Sequence, residues 1–316
     1  MTIATVETVK PKRRWRFRLS LWLMMLVIAV LGIGLSWKVN KAKKQRAAVK
    51  VVQQLGGSIG YDYELDDEGV WTKIPEPPRW KWLNSLLGVD FFHDVHLVFV
   101  LHPAHLPTDL AFLDDLPDIR RLELLTGPDT RTDSAGIMRI AALRSLKKLN
   151  LFIEGVDEAG LVAISRLARL EDLSLYGRGL TDDGLNNLRP LKRLKSLSLS
   201  SGEDITDRGM TSLASFKDLR ELYLFEIRLS DAGLNTLTGL TELEVLSLDR
   251  VRGISDVGLS YLRAFKKLKE LSLENLEITD EGKGSHGKGV RGERVRQRGQ
   301  GQAKGSGSGK GVGDQF

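Results

Sequence analysis

The chain of 316 residues contains no cysteine. That absence excludes disulfide frameworks, thiolate zinc sites, iron–sulfur ligation and cysteine nucleophiles. No Ser-His-Asp arrangement, paired-carboxylate motif or nucleophile elbow stands out, so neither enzymatic activity nor a cofactor is expected. A strong charge of one sign is missing as well, because 47 Lys and Arg face 41 Asp and Glu. The near-balance hides a segregation. Residues 1–18 carry six basic side chains and one acid, 38–50 carry six and none, and 283–316 carry eight and two. An acidic body therefore sits between basic flanks, which argues against a nucleic-acid binder along the whole chain.

Long apolar runs are scarce, with one exception near the N-terminus. From Leu19 to Trp37 there are 19 consecutive uncharged residues. At about 1.5 Å per helical residue they span roughly 28 Å, the depth of a bilayer's hydrocarbon core. The competing reading is a secretory signal peptide, but such cores run to about 7–15 residues, and only the weak Gly34-Leu35-Ser36 resembles a cleavage site. A transmembrane helix over 19–37, after a basic segment 1–18, makes the protein a single-pass membrane protein. Basic residues are balanced across the span. Arg13, Arg14, Arg16 and Arg18 crowd its N-terminal side, which places that side in the cytoplasm and the body outside it. Val39, Ala42, Val49, Val52 and Leu55 then recur at near-helical spacing before Gly56-Gly57. This predicts a juxtamembrane helix over 38–57, its lysines free to meet anionic head groups.

Ile59, Tyr61, Tyr63 and Leu65 alternate with polar residues and precede Asp66-Asp67-Glu68-Gly69 and Val70-Trp71, a pattern that predicts a β-hairpin. Residues 58–94 are assigned as an N-terminal cap. His93, His96, His102 and His105, with Asp90 and Asp94 nearby, raise the alternative of a metal-dependent activity. On a strand, however, His96 and His102 lie about 20 Å apart, and the histidines are read as cap surface.

Glycines then recur at 136, 160, 184, 209, 233, 258 and 282. Their spacing of about 24 residues is a period of stacked-repeat architectures. Counted from each glycine before the last, aliphatic or aromatic residues follow at +1, +4, +7, +10, +13 and +15. Three residues before each glycine stands Asp133, Asp157, Thr181, Thr206, Ser230, Ser255 or Thr279, all good helix N-caps. Each unit is thus a short capped helix, a turn and a short strand, and stacking buries the leucines in one continuous core. These residues resemble the leucine-rich-repeat family in its short bacterial variety, whose phrase stands here as Ile205-Thr206-Asp207-Arg208-Gly209-Met210 and Ile278-Thr279-Asp280-Glu281-Gly282. The resemblance extends to single-pass bacterial membrane proteins with a similar anchor and Tyr-rich cap. It implies an α/β solenoid over 95–282, with a curved parallel sheet of eight strands and short convex helices. It also implies a protein or peptide ligand as partner, an inference from fold alone.

After Gly282 the pattern stops. Glycine is the commonest residue of 283–316 and no apolar face is present, so this tail is expected to be disordered, whether as a genuine basic tail or through a shifted reading frame. Gly287-Lys288-Gly289-Val290-Arg291-Gly292 matches a dinucleotide fingerprint in letters only, with no strand before it. Nucleic-acid or anionic-lipid binding through this tail is the alternative function.

Two lateral edges differ in charge. Asp157, Glu158, Asp182, Asp183, Asp207, Asp231, Asp256 and Asp280 stand at helix starts, and Lys147, Arg169, Lys192, Arg193, Lys217, Lys266 and Lys267 near helix ends, as the helix dipole favours. The outward strand positions owe nothing to the core. At +14 and +16 they include Phe152, Tyr176, Tyr223 and Phe225, with Asp172, Glu221, Asp249, Glu270 and Glu274 around them and Lys148 as the main opposing charge. The four aromatics and five acids are the candidate ligand-binding face, suited to a cationic partner.

Overall fold

A computed structural model describes residues 21–65, 81–101, 106–126, 132–152, 156–177, 179–200, 204–276 and 294–296. The elements in chain order are α1 (Leu21–Gln54), β1 (Ser58–Tyr61), α2 (Lys81–Leu87), β2 (Val95–Leu101), β3 (Arg121–Leu125), α3 (Ser134–Ala142), β4 (Lys148–Phe152), α4 (Glu158–Ile164), β5 (Asp172–Tyr176), α5 (Asp182–Asn187), β6 (Ser196–Ser200), α6 (Asp207–Leu213), β7 (Glu221–Phe225), α7 (Asp231–Thr236), β8 (Val245–Asp249), α8 (Asp256–Leu259), β9 (Glu270–Ser272) and β10 (Arg294–Arg296). Short 3₁₀ turns occupy Val89–Phe91 and Ala111–Asp115.

The repeat arithmetic appears directly in the sheet. Strands β2 to β9 are parallel neighbours in chain order, the eight expected from the sequence. Their registers align like positions of successive repeats, so Leu149, Leu173, Leu197, Leu222, Leu246 and Leu271 form one column and Leu151, Leu175, Leu199, Leu224 and Leu248 another. All eleven are buried. Each fully buried leucine contributes about 1.5–3 kcal/mol, and no single repeat can achieve that burial alone. The helices line the opposite side. Their N-caps are those read from the sequence: Asp133, Asp157 and Thr181 accept from the glycine N–H three residues on, while Thr206, Ser230 and Ser255 accept from the N–H two residues on. The chain folds as a leucine-rich-repeat solenoid. Thr279 and Gly282 lie outside the described residues.

The recurring glycine owes its place to the neighbouring repeat. Asp182 accepts the backbone N–H and hydroxyl of Thr206 at 2.8 and 2.6 Å. Asp207 does the same for Ser230, and Asp231 for Ser255. This ladder brings each carboxylate over the next helix start, where a Cβ on Gly209, Gly233 or Gly258 would collide with it. The acids read as helix-dipole partners are thus also inter-repeat ties. Gly258→Ala is expected to cost about 2 kcal/mol, because the Asp231 carboxylate must move and lose its bonds. In a double-mutant cycle with Asp231→Ala, measured by thermal unfolding, the two costs should be clearly less than additive. Full additivity would remove the ladder as the cause.

Three features at the ends differ from the sequence-based expectations. First, the two helices expected over 19–37 and 38–57 form, from Leu21 on, one uninterrupted helix, α1, stopped by Gly56 in the left-handed region (φ 73°) and by the Gly57 N–H donating to Val52 O at 2.9 Å. Its second half is not a free linker. Ala42, Gln45, Ala48, Val49 and Val52 are buried, the last three within the same core as Val98, Val100, Leu110 and Phe112. Lys41 bridges Asp94 at 2.8 Å and Asp118 at 3.0 Å. Burial works against its ammonium, but those two carboxylates outweigh it and hold its pKa above the ordinary value. Second, β1 pairs antiparallel with β2, with Ser58 opposite Phe99; Val70 and Trp71, the second arm of the expected hairpin, lie outside the described residues. Third, Arg294–Arg296 of the tail add β10 beside β9, with Val295 opposite Leu271, so these three residues depart from the expected disorder. The rest of the tail lies outside the described residues.

Candidate ligand-binding face

Strand alternation sends every second residue outward, and the common register lays those residues out in three rows. One row runs Arg121, Lys148, Asp172, Ser196, Glu221, Val245 and Glu270. The next runs Glu123, Asn150, Ser174, Ser198, Tyr223, Ser247 and Ser272. The third, at the strand ends, runs Leu101, Leu125, Phe152, Tyr176, Ser200, Phe225 and Asp249.

The aromatic candidates form two pairs. Phe152 and Tyr176 have ring centroids 5.7 Å apart at a tilt of 48°. Tyr223 and Phe225 stand on β7, two strands further on. Between the pairs lies β6, whose outward Ser198 and Ser200 are so small that they are buried by their neighbours. The aromatic candidates therefore form two walls about 10 Å apart, given a spacing near 4.8 Å per strand, with a serine floor. One wall is tied to that floor, and the acidic row beside it is tied to β6. Tyr176 Oη and Ser198 Oγ are 2.9 Å apart, and Ser196 Oγ donates to Glu221 Oε2 at 3.1 Å. The Arg250 guanidinium covers the Phe225 ring at 5.2 Å and pairs with Glu226 at 2.9 Å.

The acids divide by role. Asp249 accepts from Ser247 Oγ at 2.7 Å, Ser272 Oγ at 2.6 Å and the Glu274 N–H at 3.0 Å, so it closes the face internally. Glu221 takes Ser196 and, more loosely, the Tyr223 hydroxyl at 3.4 Å. Burial and the Glu221 carboxylate push the Tyr223 phenol up to about 12. Asp172 differs, because no hydrogen bond or ion pair engages its carboxylate among the described residues. Burial raises its pKa above the usual value, and Glu221 and Glu123 add to the shift against Lys148 and Arg121. Glu270 is exposed at the far end of this row.

Leu101 and Leu125 extend the aromatic row in the direction of the cap, and sequence reasoning missed them. Their repeats carry no glycine marker, yet counting the strand spacing back from Phe152 would have found Leu125. The other candidates gather less. On the basic edge Lys267 pairs with Glu242 of the preceding repeat at 2.6 Å, and nearby Lys195 pairs with Glu171 at 2.6 Å and Lys269 with Glu244. Such exposed pairs contribute little each. His93 Nδ1 bonds Asp62 at 2.8 Å and its ring meets Tyr63 edge-on, while burial lowers the pKa of His96. His102 and His105 lie outside the described residues. Among the described residues no three His, Asp or Glu side chains gather as a metal site.

No family model matches the sequence, and no curated protein matches it. Among solved structures, the chain is similar to a leucine-rich-repeat protein of Leptospira interrogans at 19% identity and TM-score 0.44, covering 64% of this chain and 48% of that one. It is similar to internalin C2 of Listeria monocytogenes at 21% and 0.38, covering 59% and 83%, and to TLR13 in a complex with ssRNA13 at 23% and 0.42, covering 53% and 24%. The chain thus spans about a quarter of the TLR13 chain and about half of the Leptospira one. At these identities the likeness is one of fold.

Proposed function

We propose that this solenoid is a membrane-anchored interaction module whose concave face takes a protein or peptide through aromatic contacts and a cationic side chain. One observation carries the reading. Three rows of outward side chains, free of any duty to the leucine core, combine two aromatic walls, a recessed serine floor and an unengaged carboxylate. Exposed aromatics are costly to display in water and are the usual anchors of interfaces. A half-buried Asp172 beside Glu221 is electrostatically unfavourable in the free protein and is relieved by a Lys or Arg of a partner. Association should accordingly weaken with salt.

The anchor supports the same reading. α1 is long and apolar enough to cross a membrane by length and composition, and its apolar half is exposed from Trp22 to Trp37. A signal sequence passes that test too. Helical continuity through Gly34-Leu35-Ser36 into the docked half of α1 leaves no extended segment for cleavage, which favours a retained span. The arginines before the span favour a body outside the cytoplasm.

Asp172→Asn tests the face through two opposite signs. The folded-state pKa of Asp172 is raised, so its ionisation costs stability: the cost is absent below the unfolded value near 3.8 and complete once pH exceeds the folded value. The variant should therefore raise the unfolding midpoint at pH 7, leave it unchanged near pH 3, and weaken capture of a cationic partner about tenfold. Tighter capture, or no change at either pH, would reject this role for Asp172.

A further inference from the structure

The second half of α1 is locked to the cap, and the lock places an apolar helix beside the point where the chain leaves the apolar span. Lys38 is the first charged residue after Trp37. Its ammonium lies 5.1 Å from the Phe91 ring centroid and 6.0 Å from that of Phe92, and those two rings meet edge-on at 4.9 Å. This aromatic pair therefore sits at the level at which α1 emerges. Two turns further along α1, about 12 Å at 1.5 Å per residue, Arg46 donates to Leu87 O at 3.0 Å and to Asp90 Oδ2 at 3.2 Å. The end of α2 is held at this second tie. Trp82 and Leu86 are four residues apart and share a helical face, and they are 64% and 72% exposed; Leu87 beside them is 37% exposed. Arg79 and Lys81 precede Trp82 in the sequence.

We infer that α2 and the Phe91-Phe92 turn lie in the phospholipid interface beside the span, so that the cap is seated on the bilayer at a second point. The inference rests on the anchor proposed above and continues it sideways. A helix with Trp and Leu on one face and basic residues next to it is the composition that lies along the headgroup boundary. The Lys38 ammonium beside the two phenylalanine rings marks the level at which the apolar run of α1 ends. The tie at Arg46 holds the end of α2 about 12 Å beyond the emergence of α1, and a helix tilt of about 20° toward it brings it nearer to that boundary. Two attachment points instead of one fix the angle between the solenoid and the membrane. The concave face is then held in one direction and does not swivel on its anchor.

The absence of cysteine makes the test direct, because single-cysteine variants of the full chain can carry an environment-sensitive fluorophore without competition. Leu86→Cys, Leu31→Cys in the span and Val257→Cys on α8 are reconstituted in vesicles of phosphatidylcholine with phosphatidylglycerol and quenched by aqueous iodide or by lipids with a shallow nitroxide. The expected result is a Leu86 probe quenched by the shallow lipid label, with an iodide quenching constant about threefold or more below that of Val257. If the Leu31 probe is buried in lipid but the Leu86 probe behaves like Val257, this inference is overturned and the anchor stands. If the Leu31 probe is itself open to iodide, both are overturned. A Leu86 probe shielded from both quenchers, with disulfide formation between copies once the label is omitted, would assign the face to a second copy and also overturn the bilayer contact.

Discussion

Cutting the chain at Ser58 is expected to lower the unfolding midpoint of the solenoid by more than about 10 °C, whereas cutting it at Lys38 should leave the midpoint nearly unchanged. The sequence pattern places the cap at 58–94, yet the end of the leucine core is covered by the second half of α1. Removing it exposes the surface against which Ala48, Val49 and Val52 pack, including Val98, Val100 and Phe112. It also strands Asp94 and Asp118 without Lys41, and Asp90 without Gln45 and Arg46. Buried valines contribute about 1.5–3 kcal/mol each, so loss of this helix costs on the order of 5 kcal/mol, and about 1 kcal/mol shifts the midpoint of a body this size by 2–4 °C. Because repeats communicate only with their neighbours, the loss should begin at the first strands and appear as early exchange of β1 to β3 amides. Comparison of fragments 38–316 and 58–316 by thermal unfolding and hydrogen exchange checks this. Equal midpoints would show that 58–94 caps the array by itself.

Replacing both aromatics of one wall, Tyr223→Ala with Phe225→Ala, is expected to abolish partner capture while the solenoid stays folded. Both side chains point away from the leucine columns, between Leu222 and Leu224 and beyond them, and neither belongs to the buried core. Their internal ties are modest: a long hydrogen bond from Tyr223 to Glu221 and a guanidinium over Phe225. The fold should therefore lose no more than about 1 kcal/mol. Aromatic anchors at the centre of an interface commonly cost about 2 kcal/mol or more on truncation, roughly thirtyfold in affinity. Immobilised wild type and double variant, offered the same native extract, separate the possibilities. A variant that unfolds would make these rings part of the packing. One that folds and retains every partner would place the binding face elsewhere.

How much of this was legible beforehand follows from where the information resides. A regular period carried from Gly136 to Gly282 is a property of the chain as written, and burial demands that every repeat place its leucines alike. The sequence alone therefore determined the solenoid, the eight parallel strands, the helix N-caps, the apolar span and which residues alternate outward. Tertiary structure decided what depends on atoms far along the chain. That Gly233 and Gly258 are needed because Asp207 and Asp231 of the preceding repeats fill the space of a Cβ cannot be read from spacing, since Asp at a helix start already has a sufficient local reason in the dipole. The partner of β1 lies beyond the whole of α2, and its antiparallel pairing arises only because the first parallel strand offers an open edge. The serine floor that splits the aromatic face appears only when β6 is laid between β5 and β7 in register. Likewise, helical spacing in α1 announces a helix but not what it covers. Its docking was settled by the exposed end of a stack that, like every repeat array, must bury its first leucines against something.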